Sequence, residues 1–500
     1  MTWDDRHAYV PDARFDGGNL DCGNGLLLLI RKHLDPLPRG GLLEILSTES
    51  TVDEDLPAWA RMTSNQLVSR TRNGSQRSFL ICKGSLSERQ TAPTAVASAP
   101  SSTKERASPT PLGPARLDIP PLAVMGIGSW PRPRWMLQAL HDYLEGRLDE
   151  SAFQETADDA VRLAVAAQER AGVDVLSDGE QRRDSYASFV GSRLDACQLI
   201  PITDLLPYVE DPAEFEKELR SLDVPAQQVR HPAVFRRLTR NRPLVAHEIR
   251  YLRSLTRKPI KVALPGPYLL TRTLWLECVS ERIYQRREEL ADDVVTILRE
   301  EVAELLAEGT ALIQFDEPVL TEVVFGRPTR NRSFMCGALG SRGNSSDELT
   351  FASSLLDRVT AGFPAERLAL HICRGNWSRD ERVALAGDYA PLLPLLQRLP
   401  VGNVFLEMCT PRAGDWSLLT RLPSKCRVGV GVVNQKLDTI ESVEDILTRA
   451  GKAIDLFGAE RVFLNPDCGF ATFADNPVAS ADVAEAKLAA IVEAARRLRG

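Results

Sequence analysis

Residues Leu368–Asn376 read LALHICRGN, an apolar run that ends in a histidine and a cysteine two positions apart. On a strand, residues i and i+2 point to one face, so the imidazole of His371 and the thiol of Cys373 share a surface. Two readings fit such a pair: metal ligation, or a core histidine beside a small buried cysteine. The ends of the other apolar runs carry groups of the same kind. In chain order they are Ser129, then Asp178 and Glu180, an LPGP turn, Asp316 and Glu317, His371 and Cys373, Glu407, Lys436, and Asp467 and Cys468. The nitrogen, two sulfurs and carboxylate of His371, Cys373, Glu407 and Cys468 make a tetrahedral donor set suited to Zn2+. Taken singly, Glu407 reads as a surface carboxylate and Cys468 as a small buried residue; taken together they read as ligands. Their delivery from separate runs points to a working site rather than a structural clip. Cys409, next-but-one to Glu407, is left out of the set.

The elements that must position these groups follow from the pattern of the chain. Eight short apolar runs recur at Leu122–Ile127, Val173–Asp178, Ile260–Pro265, Ala311–Asp316, Leu368–Cys373, Asn403–Met408, Arg427–Val433 and Arg461–Asp467. Helix-like stretches separate most of them, such as ERIYQRREELADDVVTILREEVAELLAEG before the fourth. Near-continuous apolar strands alternating with helices indicate a parallel sheet covered on both faces. Eight such units predict an α/β protein of (β/α)8 TIM-type barrel form, whose chemistry sits at the C-terminal ends of the strands. The interval Glu180–Lys258 is too long for a simple crossover and predicts an inserted excursion. Residues 87–120, rich in Pro, Ala, Ser and Thr, read as a flexible linker between a domain at 1–86 and the barrel at 121–500.

Composition narrows the class. The chain has 500 residues, 43% of them hydrophobic and 26% charged, with a net charge of −7, which argues against nucleic-acid and basic membrane-surface partners. The polar, acidic start is unlike a secretory leader, and LLLLI at Leu26–Ile30 is too short to span a bilayer. Nine scattered cysteines make no disulfide framework, so a reduced, cytoplasmic setting with thiols available for metal or catalysis is expected.

The stretches GIGSWP, DVLSDGEQRRDS, LPGPYLL, IQFDEPVLTE, HIC, LEMCTPRAGD, VGVGVVNQK and VFLNPDCGF carry a more specific likeness. On them, the region from Leu122 to about Arg499 resembles the catalytic C-terminal half of cobalamin-independent methionine synthase. The resemblance implies that His371, Cys373, Glu407 and Cys468 hold zinc, and that the acceptor is homocysteine. Its amino-acid end would be held by the Ile127–Ser129 backbone, Ser129, Glu180 and Asp316, since an ammonium needs carboxylates and a carboxylate needs N–H and hydroxyl donors. Glu322 matches the family's pterin-binding carboxylate. The sequence departs from the family at NQKL, where Asn434 and Lys436 stand in place of an Asp and the acid His; Lys436 can donate a proton only if its pKa is lowered. The family's folate-stacking Trp has no match in register, Trp275 lying nearby. The chain resembles the short core form, for which the methyl donor is methyl-tetrahydrofolate or a methylcorrinoid protein. Two rival readings are alkyl transfer to another thiol, such as coenzyme M, or to sulfur delivered by the N-terminal domain, and a non-catalytic binding or regulatory barrel. Glu180 and Asp316 argue against the first, and the ligand quartet against the second.

Residues Leu20–Gly84 read as strand, helix, strand, helix and a hairpin closed on Asn73-Gly74. This order, with LDCGNGLLLLIRKHLDPLPRGGLLEIL and DLPAWARMTSNQLV, resembles the small sulfur-carrier (TusA-like sulfurtransferase) family. The resemblance implies a reactive Cys22 at a helix N-terminus, which favours a thiolate, and a cysteine desulfurase as partner. Gly23 follows Cys22 where that family has Pro.

Overall fold

A computed structural model of the chain describes residues 3–22, 25–91, 109–203, 205, 212–220, 229–276, 280, 283–326, 344–475 and 477–500. The chain divides into two compact units, one built mainly from Met1–Glu105 and one that begins at Arg106.

In the small unit, strand β1 (Ala13–Asp16) is followed by helix α1 (Leu26–Leu34), β2 (Leu42–Ser47), α2 (Val52–Met62), β3 (Gln66–Asn73) and β4 (Gln76–Cys82). The element order is as expected, except that the first strand lies ahead of Leu20. The sheet runs β1-β2-β4-β3, with β1 parallel to β2 and the other pairs antiparallel. Leu26, Ile30 and Leu34, four residues apart, bring one stripe of α1 onto Leu43, Ile45, Phe79 and Ile81 of the sheet.

The large unit opens its excursion with a hairpin-like pair, β5 (Cys197–Pro201) and β6 (Arg230–Val234). Six parallel strands then follow the predicted runs: β7 (Lys261–Pro265), β8 (Leu312–Asp316), β9 (Leu368–Ile372), β10 (Asn403–Leu406), β11 (Arg427–Val433) and β12 (Val462–Pro466), paired in that order. The first two predicted runs are not extended strands. They join through single parallel bridges, Val124–Leu464, Met125–Val175 and Leu176–Ile260. Pro120-Pro121 precede the first run and a left-handed Leu122 (φ 55°) opens it, which shortens its extended part. These bridges carry hydrogen bonding from β12 back to β7, so the ring of eight parallel segments closes.

Alternation along the strands divides the apolar residues. Leu312, Ala369, Phe405 and Phe463 fill the inside of the ring with Ala123, Met125, Ile127 and Val175. Ile313, Phe315, Leu370, Val404, Val430 and Leu464 face the surrounding helices. Within and beside the expected linker, 87–120, a helix spans Leu86–Thr91, and residues near its end bond to the large unit, Leu112 to Arg253 and Arg427 to Ile119 and Pro120. Residues 92–108 of it lie outside the described residues. Among the described residues, no helix is long and apolar enough to cross a membrane.

Candidate metal centre and active site

On four of the strands the inward column turns polar towards the C-terminal end. On β8 it reads Leu312, Gln314, Asp316; on β9, Ala369, His371 and then Cys373; on β10, Phe405 and then Glu407; on β12, Phe463, Asn465 and then Asp467. The period of two therefore brings the polar ends together over an apolar floor. Asp316, His371 and Cys373 among them line a cleft together with Ile127, Ser129, Glu180, Glu322 and Cys468.

Ligand atoms of Cys373, Glu407 and Cys468 lie within 4.8 Å of one another, and all three residues are buried. His371 lies outside this tight group of three and lines the same cleft as Cys373 and Cys468. Its Nδ1 lies 2.8 Å from Asp316 Oδ1, and its buried Nε2 has no hydrogen-bond partner among the described residues. Glu407 Oε1 accepts the backbone N–H of Arg374 at 2.9 Å. The Cys468 thiol is raised well above its ordinary range by its hydrogen bond with Cys373 and by burial, and burial also raises Glu407. Three crowded, buried donors, beside an imidazole nitrogen with no hydrogen-bond partner among the described residues, fit a cation, which would offset the cost of ionising them. Asp467 is not a fifth ligand: its Oδ1 accepts the N–H groups of Met408 and Cys409, each at 2.8 Å, and braces the turn that carries Glu407. Gly431 makes room for it, since a Cβ there would overlap Asp467 Oδ1.

Glu180 and Asp316 border the same cleft. Glu180 has a left-handed backbone (φ 56°), which costs a residue with a Cβ of order 1–3 kcal/mol and needs support. Its N–H donates to Asp178 Oδ1 at 2.9 Å and its carbonyl accepts from Arg132 at 2.6 Å. The carboxyl lies against Gly128, where a Cβ would overlap Oε1, and its Oε2 is buried with no hydrogen-bond partner among the described residues. Burial pushes Glu180 up to about 7, against the pull of Arg183 and with the push of Asp316. An ammonium ligand would reverse that shift. Ser129 Oγ accepts the N–H of Ala471 at 3.2 Å, leaving its own proton to donate.

Lys436 is neither at the surface nor in the cleft wall among the described residues. It is 3% exposed, and its Nζ donates to Gly375 O at 2.9 Å. Its neighbour Gln435 donates to Asn376 Oδ1 at 2.7 Å, so NQK fastens the loop after β11 to the loop after β9. Burial lowers the Lys436 amine. Trp275 lies away from the cleft wall; Trp377, which the sequence reading did not single out, lines it. Gln314 was also missed, although a polar residue inside the apolar run ALIQFD, two before Asp316, is a usable signal. In the small unit the surroundings of Cys22 oppose a thiolate. It is 7% exposed, and burial, with Asp55 and Asp21 adding to it, pushes its thiol up to about 12.

Residues 122–497 match the family model described as "Cobalamin-independent synthase, Catalytic domain". A methionine synthase of Thermococcus kodakarensis is 28% identical over 355 residues, 71% of this chain and 88% of that protein. One from Pyrococcus furiosus is 26% identical over 385 residues, 77% and 94% of the two chains. Among solved structures, a B12-independent methionine synthase from Shewanella sp. W3-18-1, in complex with selenomethionine, is 26% identical with a TM-score of 0.57. That match covers 76% of this chain and 98% of the other.

Proposed function

Because the chain belongs to the cobalamin-independent synthase catalytic-domain family, we propose that it is a methyltransferase that converts homocysteine to methionine, with zinc held by Cys373, Glu407, Cys468 and His371. The observation that carries this reading is the meeting of Cys373, Glu407 and Cys468 within 4.8 Å, two of them lining a cleft that Glu180 and Asp316 also line. Bound by such a set, zinc would lower the pKa of an incoming thiol and favour its nucleophilic thiolate at neutral pH. The chain's own residues supply the rest. Glu180 and Asp316 receive the α-ammonium, and the Ser129 hydroxyl with the Ile127–Ser129 backbone N–H groups receives the α-carboxylate. With both ends held, the acceptor sulfur stands over one point of the cleft for in-line attack on a methyl group. Glu322 is assigned to the donor side of the same cleft.

The test is to supply homocysteine with methyl-tetrahydrofolate or methylcobalamin and to measure methionine. Elemental analysis of chelator-free protein is expected to give about one zinc per chain. Cys468→Ala and His371→Ala should each lose most of it; full stoichiometric zinc in both variants would sink the ligand assignment.

For the small unit, the element order supports the sulfur-carrier likeness, whereas the buried, high-pKa Cys22 speaks against a persulfide-bearing thiolate. Sulfur delivery is therefore not part of the proposed reaction.

A further inference from the structure

A line of hydrogen bonds runs beneath the cleft through two residues that the proposed reaction does not use, Lys261 and Gln314. Lys261 points into the ring from β7, is 1% exposed, and lies over the Phe405 ring at 4.5 Å. Its Nζ donates to the carbonyl of Gly126 and, at 3.0 Å, to Gln314 Oε1. Gln314, fully buried, donates from Nε2 to Ile127 O at 3.2 Å and to Asp316 Oδ1 at 2.7 Å. Asp316 Oδ1 in turn meets His371 Nδ1 at 2.8 Å.

The direction of each bond follows from the chemistry of its ends. An ammonium has only donors, so it selects the oxygen of the Gln314 amide. The carbonyl of Ile127 is only an acceptor, so it selects the nitrogen. Both anchors give the same orientation, and Gln314 must then present an N–H to Asp316. Asp316 Oδ1 acts as an acceptor towards both neighbours, so His371 Nδ1 carries the proton. The Nε2 lone pair is left over: that atom is buried with no hydrogen-bond partner among the described residues, on a side chain that lines the cleft. With Nδ1 protonated, the ring can bind a cation only through Nε2.

We propose that Lys261 and Gln314 are positioning residues that act in series through Asp316 to hold His371 in its Nδ1–H tautomer, with Nε2 left unprotonated. The proposal rests on the metal site above for its consequence, a tighter hold on zinc, but not for the tautomer itself.

Two readouts on the full-length chain test it. The first is zinc affinity, measured by competition with a chromophoric chelator. Gln314→Met is expected to weaken it ten- to a hundred-fold, the range typical of partners that orient a ligating histidine. Lys261→Met should act in the same direction, and the double variant should be no weaker than Gln314→Met alone, because the two residues act in one line. Gln314→Glu keeps the side-chain shape and the acceptor for Lys261 but removes the N–H to Asp316; it should fall equally, which guards against a folding defect in the Met variants. The second readout is the imidazole nitrogen spectrum of the zinc-free chain labelled with 15N-histidine. One of six histidines should show a single Nδ1–H tautomer, assigned by its loss in His371→Ala, and should become a tautomer mixture in Gln314→Met. Unchanged zinc affinity and an unchanged tautomer in Gln314→Met and Gln314→Glu would overturn the proposal, as would losses in the double variant that multiply. If the wild type takes up no zinc, the metal reading fails, and the tautomer measurement still decides the series.

Discussion

At the residue scale, Glu180 and Asp316 make separable demands. A carboxylate paired with a substrate ammonium contributes on the order of 1.5–3 kcal/mol, so Glu180→Gln and Asp316→Asn should each weaken homocysteine binding roughly ten- to a hundred-fold. Zinc should stay in place in Asp316→Asn, because Asn keeps an acceptor oxygen for His371 Nδ1. Unchanged affinity in both variants, by calorimetric titration, would move the amino-acid end of the substrate elsewhere. Cys22 gives the opposite kind of expectation. A thiol pushed up to about 12 by burial is almost wholly protonated at neutral pH, and its reactivity rises only as pH approaches that value. Incubation with a cysteine desulfurase and cysteine should therefore leave no 32 Da adduct on Cys22 in the intact mass; an adduct that disappears in Cys22→Ser would restore the carrier role. The two sites differ in how far the sequence could be read. His371 and Cys373 were legible because strand alternation alone puts them on one face. The burial of Cys22 depends on what α1 and the sheet fold over it, which no local pattern states.

The element scale explains why distant motifs occur together. Glu317, the middle residue of the DEP motif, accepts the N–H groups of Tyr268 and Leu269 at 2.8 and 2.9 Å. These are the first turn of the helix Pro267–Leu274 that begins in the LPGP turn, so one carboxyl caps the helix that follows β7 from the end of β8. The sequence displayed both motifs but not their contact, because a cap supplied from another strand has no spacing rule. β11 shows the same dependence between neighbouring elements. Its Gly431 leaves the space that Asp467 occupies at the end of β12, and Asp467 braces the two residues after Glu407. Gly431→Ala should therefore destabilise the chain by about 1–3 kcal/mol, as overpacking does, and should lower zinc content by displacing the turn that carries Glu407. A urea midpoint and a zinc content both equal to wild type would show that Asp467 is held independently of that gap. The eight runs themselves were readable as near-continuous apolar segments. That two of them join by single bridges was not, since bridge number reflects the Pro and left-handed residues around the run more than its hydrophobicity.

At the scale of the whole molecule, the question is which methyl donor the cleft serves. The matched region accounts for 88% of the Thermococcus protein and 98% of the Shewanella chain, so those relatives are little longer than the one catalytic domain they share with this chain. Departure of a folate nitrogen calls for a proton at the moment of transfer, and an acid must reach it within hydrogen-bonding distance. Lys436 stands in the loop where the resemblance places the acid, yet its amine is buried and donates to Gly375 O, and the residue does not contribute to the cleft wall. Loss of methyl from a cobalt(III) corrinoid leaves cobalt(I), which needs no proton in that step. The lysine substitution would then cost the reaction little, and Lys436 would serve to fasten the loops after β9 and β11, as its neighbour Gln435 does through Asn376. Methylcobalamin, or a methylcorrinoid protein, is therefore expected to support methionine formation at least as fast as methyl-tetrahydrofolate, and Lys436→Met should leave the rate with methylcobalamin within a few-fold of wild type. Side-by-side initial rates at saturating homocysteine decide this. Rapid turnover with methyl-tetrahydrofolate, none with methylcobalamin, and loss of that turnover in Lys436→Met would reverse the conclusion and make Lys436 the acid.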